Sequence, residues 1–253
     1  MIKSPSKHQF DLDRIRTELT PWRLHWYPRL RSTNDRVVEL KEEGKLFCPA
    51  LVLTGNQTAG RGRGDNVWFS GPATLTVSFA VTADEHRRPE QLPLIVGVLV
   101  RRAIERLGAD GVKIKWPNDL VHDGLKLAGI LCEREHGVDV IGIGLNVGRD
   151  PALPADIARD VTSLDDIAHR ELDKTDVLLT LAAALADLAT RPITWSDVRD
   201  EFNAYDALGG EVVRVGETMG HCEGVDADGR LLIKGPTGTQ RLHTGTARIV
   251  SPT

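Results

Sequence analysis

Alternating glycines and arginines make the segment Gly60–Trp68 the strongest chemical feature of the sequence. Glycines keep backbone N–H groups accessible and tolerate positive φ, while the guanidinium groups of Arg61 and Arg63 supply planar donors for phosphate or carboxylate. The GxGxG spacing matches neither a GxGxxG dinucleotide loop nor a Walker A loop, because the GK[ST] ending is missing. The pattern favours a polyanionic ligand, although a solvated flexible loop has a similar composition.

Four further motifs place polar groups at the ends of predicted strands or before a predicted helix. They are Arg31-Ser32-Thr33-Asn34, Lys115-Trp116-Pro117-Asn118-Asp119, Lys126-Leu127-Ala128-Gly129-Ile130-Leu131 and Gly142-Ile143-Gly144-Leu145-Asn146. Asn118 and Asp119 offer an amide and a carboxylate to a nucleotide or to Mg²⁺. The Lys126 ammonium could offset the charges of a carboxylate and an α-phosphate as they approach each other. Each motif alone also has an ordinary explanation: a helix N-cap, a Pro-Asn-Asp turn, a surface lysine or close sheet packing.

The order of these motifs along the chain closely resembles the biotin–protein ligase family. The matching segments are Ser-Thr-Asn, Gln-Thr-Ala-Gly-Arg-Gly-Arg-Gly, Lys-Trp-Pro-Asn-Asp, Lys-Leu-Ala-Gly-Ile-Leu and Gly-Ile-Gly-Leu-Asn, from about Ser32 to Val147. The resemblance implies an enzyme that forms biotinyl-5′-AMP from biotin and ATP. It then transfers biotin to a lysine of a biotin carboxyl carrier protein or domain, and Mg²⁺ is the implied metal.

The resemblance also assigns roles to individual residues. Biotin binding falls to Ser32, Thr33, Asn34, Gln57, Gly60, Arg61, Gly62, Arg63, Lys126 and Gly129. Binding of ATP and of the adenylate falls to Asn66, Trp68, Lys115, Asn118, Asp119 and Asn146. The implied catalytic cations are Lys126, Arg61 and Arg63, and Asp119 is the candidate magnesium ligand.

Two departures from the family pattern bear on these assignments. Many bacterial ligases continue the loop after Arg63 with another Gly-Arg pair, whereas Gly64-Asp65-Asn66 stands here. Arg63 is therefore expected to carry more of the contact with phosphate. Too few residues precede Ser32 for the three-helix DNA-binding unit that repressor members of the family carry, so we expect no repressor function.

Two rival functions follow from the same motifs. A lipoate–protein ligase of related fold would use the same adenylate chemistry on a different acid, but the GRGRG loop and the KWPND run favour biotin. A biotin-binding regulator without ligase activity would keep Gln57 and the Ser32–Asn34 pocket and could lose Lys126 and Asn118. All of these residues are present.

Composition limits the remaining classes. The chain has 253 residues, 41% of them hydrophobic and 27% charged, with a formal net charge of −4. These values are ordinary for a globular protein, and a basic stripe for nucleic acid is missing, so we expect no nucleic-acid partner. Three widely spaced cysteines suit a reducing compartment. Residues 1–20 lack a signal-peptide core and the apolar stretches are too short or too interrupted for a bilayer, so we expect a cytoplasmic monomer or homodimer without membrane contact.

Periodicity predicts the elements that must position these residues. Helices are predicted at Thr33–Glu43, Gln91–Leu107 and Thr175–Thr190. Strands are predicted at Ala50–Thr54, Ala73–Val81, Val112–Trp116, Leu127–Glu133, Val138–Val147, Glu211–Val215, Leu231–Lys234 and Ala247–Val250, with Gly55–Gly71 as a long loop. From the pattern alone this is an α+β chain with a β-rich tail. The resemblance adds a mixed sheet flanked by helices, like class II aminoacyl-tRNA synthetases, in a catalytic domain over 1–207 with an N-terminal arm at 1–25. It also adds a small SH3-like barrel over 208–253.

Overall fold

The computed structural model describes residues 9–250 and has an α+β fold built on two main sheets. The strands are β1 (Arg23–Tyr27), β2 (Ala50–Thr54), β3 (Gly60–Arg61), β4 (Val67–Trp68), β5 (Thr74–Thr82), β6 (Lys113–Lys115), β7 (Asp119–His122), β8 (Leu125–Glu135), β9 (Val138–Asn146), β10 (Val212–Val215), β11 (Thr218–Val225), β12 (Leu231–Gly235), β13 (Gly238–Leu242) and β14 (Arg248–Ile249). The helices are α1 (Leu12–Glu18), α2 (Thr33–Glu42), α3 (Leu92–Arg106), α4 (Ala155–Ala158), α5 (Leu164–Ala168), α6 (Lys174–Leu185), α7 (Asp187–Thr190) and α8 (Trp195–Ala204), with a 3₁₀ turn at Pro89–Gln91.

A mixed seven-stranded sheet forms the centre of the molecule, with the strand order β1-β2-β5-β9-β8-β7-β6. Strands β1 and β2 are parallel and the other neighbours are antiparallel. The central strands β5 and β9 are buried along nearly their whole length, although hydroxyl residues alternate with apolar ones along most of β5. Helices α3, α6 and α8 cover one face of the sheet and share its large apolar core. Helix α2 covers part of the opposite face through a smaller apolar cluster around Val37 and Leu40.

The C-terminal strands form a second, antiparallel sheet with the order β13-β12-β11-β10-β14. Its apolar side chains Val213, Leu231 and Ile233 belong to the same large core as α3, so the two sheets are packed together without a solvent layer. The indole of Trp116 donates to the Gly229 carbonyl oxygen at 3.2 Å across this junction. Within residues 9–250 the edge strands β13 and β14 do not pair with each other, so this sheet is open and the SH3-like barrel stays a prediction.

Most of the predicted elements are present, and the differences have local causes. The predicted long loop carries the short hairpin β3–β4 in its middle, because Gly60 pairs with Trp68 and Arg61 with Val67. The single helix expected over 175–190 is divided into α6 and α7 at Ala186. Helix α8 was not predicted, although its Thr194–Asp197 capping box is a recognisable start signal.

Four strands were also missed, namely β1, β7, β11 and β13. Strand β13 is polar and exposed along most of its length, so it lacks the alternation that marks a strand. Strand β1 lies in the segment predicted as an arm and forms an edge of the central sheet, while Ile15 of α1 is buried in the core. Residues 1–8 of that arm lie outside the described residues. Between residues 9 and 250 we find no helix that has both the length and the apolarity to cross a bilayer.

Candidate active site

A cavity of about 510 Å³ opens beside the N-terminus of α2, between the β3–β4 hairpin and strands β8 and β9. The predicted site residues that line it are Ser32, Thr33, Asn34, Gln57, Arg61, Gly62, Arg63, Asn66, Trp68, Lys115, Asn118, Asp119, Lys126 and Gly129. Gly60 and Asn146 are the predicted residues that do not line it. Sequence motifs spread over nearly a hundred positions are thus brought to one cavity.

One end of the cavity is a buried network of neutral polar groups, which we call the head-group pocket. It consists of Ser32, Thr33, Asn34, Gln57 and Ser78, all of them buried. The Thr33 backbone N–H donates to Gln57 Oε1 at 2.8 Å. Ser78 Oγ donates to Asn34 Oδ1 at 2.6 Å and lies 2.7 Å from Thr33 Oγ1. The side chains therefore fix one another before any ligand arrives.

The local sequence explains how this pocket is built. Ser32 is the N-cap of α2, and its hydroxyl accepts from the Asp35 N–H, so Thr33 and Asn34 stand in the first helical turn. Asn34 reaches the sheet because residue 142 is a glycine: a Cβ there would lie 2.4 Å from Asn34 Oδ1. Gln57 follows strand β2, which places it beside the start of α2.

The hairpin β3–β4 covers the middle of the cavity and places an indole against the sheet. A Cβ on Gly144 would lie 2.1 Å from the Trp68 ring, and one on Gly129 would lie 3.4 Å from it. Gly144 of the Gly-Ile-Gly motif therefore makes room for Trp68, while a side chain at residue 129 would only touch the ring. Gly60 does not touch the cavity but has a packing role, because a Cβ there would meet the Trp68 carbonyl oxygen at 2.4 Å. The indole N–H of Trp68 is buried without a hydrogen-bond acceptor in the described structure.

The other end of the cavity carries charge, and we call it the charged chamber. Lys126 Nζ lies 2.8 Å from Asp119 Oδ1 and 5.9 Å from the centre of the Trp68 ring. The side chains of Lys126 and Asp119 are 37% and 26% exposed, so a ligand entering the chamber can reach both. Lys115 and Asn118 line the same end. The Asn118 amide donates to the Ile130 carbonyl oxygen at 2.8 Å, which fixes the turn between β6 and β7 against β8.

The two arginines of the hairpin have different surroundings. Arg61 forms ion pairs with Asp35 at 2.7 Å and Glu133 at 2.9 Å. Hydrogen bonding to Glu133 raises the pKa of Arg61 above its ordinary value. Arg63 instead reaches the C-terminal sheet, where it donates to Thr244 Oγ1 at 2.8 Å and to the Gly245 carbonyl oxygen at 3.3 Å. Burial lowers the pKa of Arg63, and the nearby Asp119 carboxylate offsets this effect only in part.

Asn146 binds the backbone of the segment that holds Lys126. Its amide donates to the Thr162 carbonyl oxygen at 3.1 Å and to the Lys126 carbonyl oxygen at 3.4 Å. The Lys126 N–H and carbonyl group also pair with Asp160 and Thr162. In this structure Asn146 supports the strand of Lys126 from outside the cavity, and direct contact with a nucleotide stays a prediction.

Sequence reasoning missed several residues of the site. Ser78 does not line the cavity but supports Asn34 and Thr33 from strand β5, where its alternation with apolar neighbours gave no special signal. Asp160 and the segment Gly245-Thr246-Ala247 do line the cavity, and the latter comes from the loop between β13 and β14. No motif marks this loop, because its position depends on the packing of the second sheet. Across residues 9–250, no group of three or more His, Cys, Asp or Glu side chains could hold a metal ion.

One end of the cavity is thus suited to a compact polar group and the other to an anion. Comparisons with known proteins define the class of this protein more narrowly. The sequence model of the biotin/lipoate A/B protein ligase family matches residues 26–150. The bifunctional ligase/repressor BirA of Bacillus subtilis (strain 168) is 31% identical over 263 residues, covering 96% of this chain and 80% of that protein.

Two further relatives are matched over nearly the whole of their own lengths. The biotin–[acetyl-CoA-carboxylase] ligase of Paracoccus denitrificans is 30% identical over 234 residues, which are 84% of this chain and 94% of that protein. The solved structure of biotin protein ligase from Aquifex aeolicus in complex with biotin and ATP superposes with a TM-score of 0.79 at 27% identity, covering 90% of this chain and 99% of that chain. This chain therefore belongs to the biotin–protein ligase group of the biotin/lipoate A/B protein ligase family.

Proposed function

We propose that this protein is a biotin–protein ligase, which makes biotinyl-5′-AMP from biotin and ATP and transfers biotin to a lysine of a carrier protein. One observation carries the proposal: a buried neutral pocket and a chamber lined by cations share one cavity beneath a glycine-rich hairpin. The fused rings of biotin suit the head-group pocket, since their ureido group has N–H donors and a carbonyl acceptor. Its valerate chain would then lead the carboxylate toward the chamber.

In the first step, a carboxylate oxygen of biotin attacks the α-phosphorus of ATP. A new oxygen–phosphorus bond forms, the bond to the β-phosphate breaks, and pyrophosphate leaves. Two anions must approach each other, so the site needs fixed cations. Lys126 carries three N–H donors, so it can keep its contact with Asp119 and still donate to the reacting oxygens. Arg63 lines the same cavity, is held there by Thr244, and offers the second cation.

In the second step, the neutral amine of an acceptor lysine attacks the acyl carbon of the mixed anhydride. The amide bond forms, AMP leaves with the electrons of the broken carbon–oxygen bond, and the amine proton passes to solvent. The mixed anhydride is prone to hydrolysis, so a cover that excludes water between the steps is useful. The hairpin β3–β4 lies where such a cover is needed.

Magnesium would enter this site as the companion of ATP. Mg²⁺ prefers oxygen ligands and usually combines one or two carboxylates with substrate phosphates and water. Asp119 offers a carboxylate inside the cavity, so the donor set fits such an ion. The ion would offset phosphate charge, while the side chains named above bind and orient the substrates.

The finer features of the protein belong to the same proposal. The acceptor is a biotin carboxyl carrier domain of a carboxylase, in line with the names of relatives that modify acetyl-CoA carboxylase. The free thiols Cys48, Cys132 and Cys222 suit a cytoplasmic location. The class II synthetase-like catalytic part over 1–207 and an SH3-like tail over 208–253 remain the proposed domain division, supported by the separate C-terminal sheet.

Mass spectrometry of an acceptor domain tests the function. The pure protein is incubated with biotin, MgATP and a biotin carboxyl carrier domain, and the same reaction is run with lipoate in place of biotin. We expect the mass of one biotin on the carrier, dependent on ATP, and no lipoyl product. A lipoyl product without a biotinyl product would make the protein a lipoate ligase. Binding of biotin without modification of the carrier would make it a regulator.

A further inference from the structure

Arg61 is neutralised by two carboxylates that no motif marked. Its Nη1 and Nη2 groups donate to the two carboxylate oxygens of Glu133 at 2.9 and 3.0 Å, and Nε and Nη2 donate to Asp35 Oδ1 at 3.1 and 2.7 Å. Glu133 belongs to β8 and Asp35 to α2, so a residue of the hairpin is tied to both walls of the cavity. Because two carboxylates already offset the positive charge of Arg61, its electrostatic attraction for a substrate anion is weak.

Glu133 has a second partner inside the head-group pocket. Asn34 Nδ2 donates to Glu133 Oε2 at 2.7 Å, while Oδ1 of the same amide accepts from the Ser78 hydroxyl. The amide of Asn34 is therefore oriented from both ends. One carboxylate thus links the position of the hairpin to the orientation of a pocket side chain.

Apart from Arg61, the hairpin is held by the Trp68 indole against the sheet and by the hydrogen bonds of Arg63 to Thr244 and Gly245, but its outer side has little packing. Val67 of β4 is 82% exposed. A second cavity of about 240 Å³ separates the hairpin from Pro93, with Gly62 and Gly64 on one wall and Leu131 and Glu133 on another. With a cavity in place of apolar packing there, the ion pairs of Arg61 matter more for the closed position of the hairpin.

We propose that Glu133, assisted by Asp35, is a positioning residue that holds the hairpin closed over the acyl-adenylate through Arg61 and aligns Asn34 at the same time. This inference rests on the proposed function and gives Arg61 a positioning role in place of the direct electrostatic role expected from the sequence. The cations left for the reacting groups are then Lys126 and Arg63. Opening of the hairpin after transfer requires these ion pairs to break.

The lifetime of the enzyme-bound adenylate tests this role. Biotinyl-5′-AMP is formed on the enzyme, free substrates are removed rapidly, and the bound adenylate is followed over time in the absence of acceptor. The variants are Glu133→Gln, Arg61→Met and the double variant, with Asp35→Asn as a second route to the same contact. The matched control is Glu39→Gln, which breaks an ion pair between Glu39 and Arg36 within α2, outside the cavity.

We expect Glu133→Gln to shorten the lifetime of the adenylate about three- to tenfold and to raise KM for biotin, since losing a partly exposed, hydrogen-bonded ion pair costs about 1 kcal/mol. The kcat of adenylate formation should fall by a smaller factor. Arg61→Met, which also removes the contact with Asp35, should have an effect at least as large, and the double variant should be no worse than Arg61→Met, since the pair with Glu133 is already lost there. The melting temperature should change little, because these groups are partly exposed. Glu39→Gln should behave as the wild type.

Different outcomes separate the inference from the proposed function. An unchanged lifetime in Glu133→Gln and Asp35→Asn would overturn the inference while the enzyme still makes adenylate. A loss of kcat in Arg61→Met as large as in Lys126→Ala would also overturn it, since Arg61 would then act on the reacting atoms. Failure of the wild-type protein to form any adenylate would refute the proposed function itself, and the inference with it.

Discussion

The two ends of the cavity differ in burial and in charge. The head-group pocket is buried and its own side chains are neutral, with hydrogen bonds among themselves and from Asn34 to the Glu133 carboxylate at its edge. The charged chamber is partly open, and its cations are held by Asp119 and by the loop of the second sheet. A buried neutral network can select a ligand by shape and hydrogen bonding at low cost, whereas buried unpaired charges would be expensive. Selection and chemistry are therefore separated along one cavity.

The largest effect should come from the charged chamber. Lys126→Ala removes the ammonium beside Asp119 and should slow ATP–pyrophosphate exchange on the order of 100-fold, as loss of one preorganised donor typically does. The melting temperature should stay close to that of the wild type, since the side chain is 37% exposed. Lys234→Ala is the control, because Lys234 pairs with Glu223 in the C-terminal sheet. Equal losses in both variants would mean that the chamber has no special role.

A steric change in the head-group pocket should come next. Gly142→Ala places a methyl group 2.4 Å from Asn34 Oδ1 and forces that amide to move. Overpacking of this kind costs about 1–3 kcal/mol, so biotin affinity measured by calorimetry should fall roughly tenfold or more. Gly235→Ala is a matched control in strand β12, where the added Cβ would be no closer than 3.4 Å to a neighbour. Unchanged biotin affinity in Gly142→Ala would place the ligand elsewhere.

A smaller effect is expected from one hydroxyl group of the same pocket. Ser78→Ala leaves Asn34 Oδ1 without the hydroxyl donor that now lies 2.6 Å away. An unsatisfied buried acceptor costs about 1–3 kcal/mol, shared between folding and ligand binding. Biotin affinity should therefore drop several-fold, together with a lower melting temperature. Thr180→Ala, which removes an exposed hydroxyl of α6, should change neither.

The smallest expected effect is a difference in salt dependence between ligands of the two ends, and its test needs no mutation. Raising the ionic strength from about 0.05 to 0.5 M should weaken ATP binding several-fold, because salt screens the partly exposed cations of the chamber. Biotin amide keeps the ring system but lacks the carboxylate, so its affinity should be nearly constant over the same range. Equal salt dependence for the two ligands in titration calorimetry would show that the head-group pocket is not electrically separate.

The sequence predicted the cavity residues better than the fold around them. Ser32, Gln57 and Lys126 were recognised because each belongs to a short motif whose residue types suit a ligand. Strands β1 and β13 were missed since edge strands lack a regular apolar pattern. The contacts that only the structure could provide are long-range ones, such as Arg63 with Thr244 and Arg61 with Glu133. Local motifs hold no information about which distant carboxylate or loop a side chain will meet.

The most direct test of the two-ended cavity is a crystal structure with a stable sulfamoyl analogue of the biotinyl-adenylate. The ring system should lie within hydrogen-bond distance of Thr33, Asn34 or Gln57, and the acyl linkage within reach of Lys126. A ring system bound in the chamber beside Asp119, or an analogue lying outside the hairpin, would show that the two ends do not have these roles.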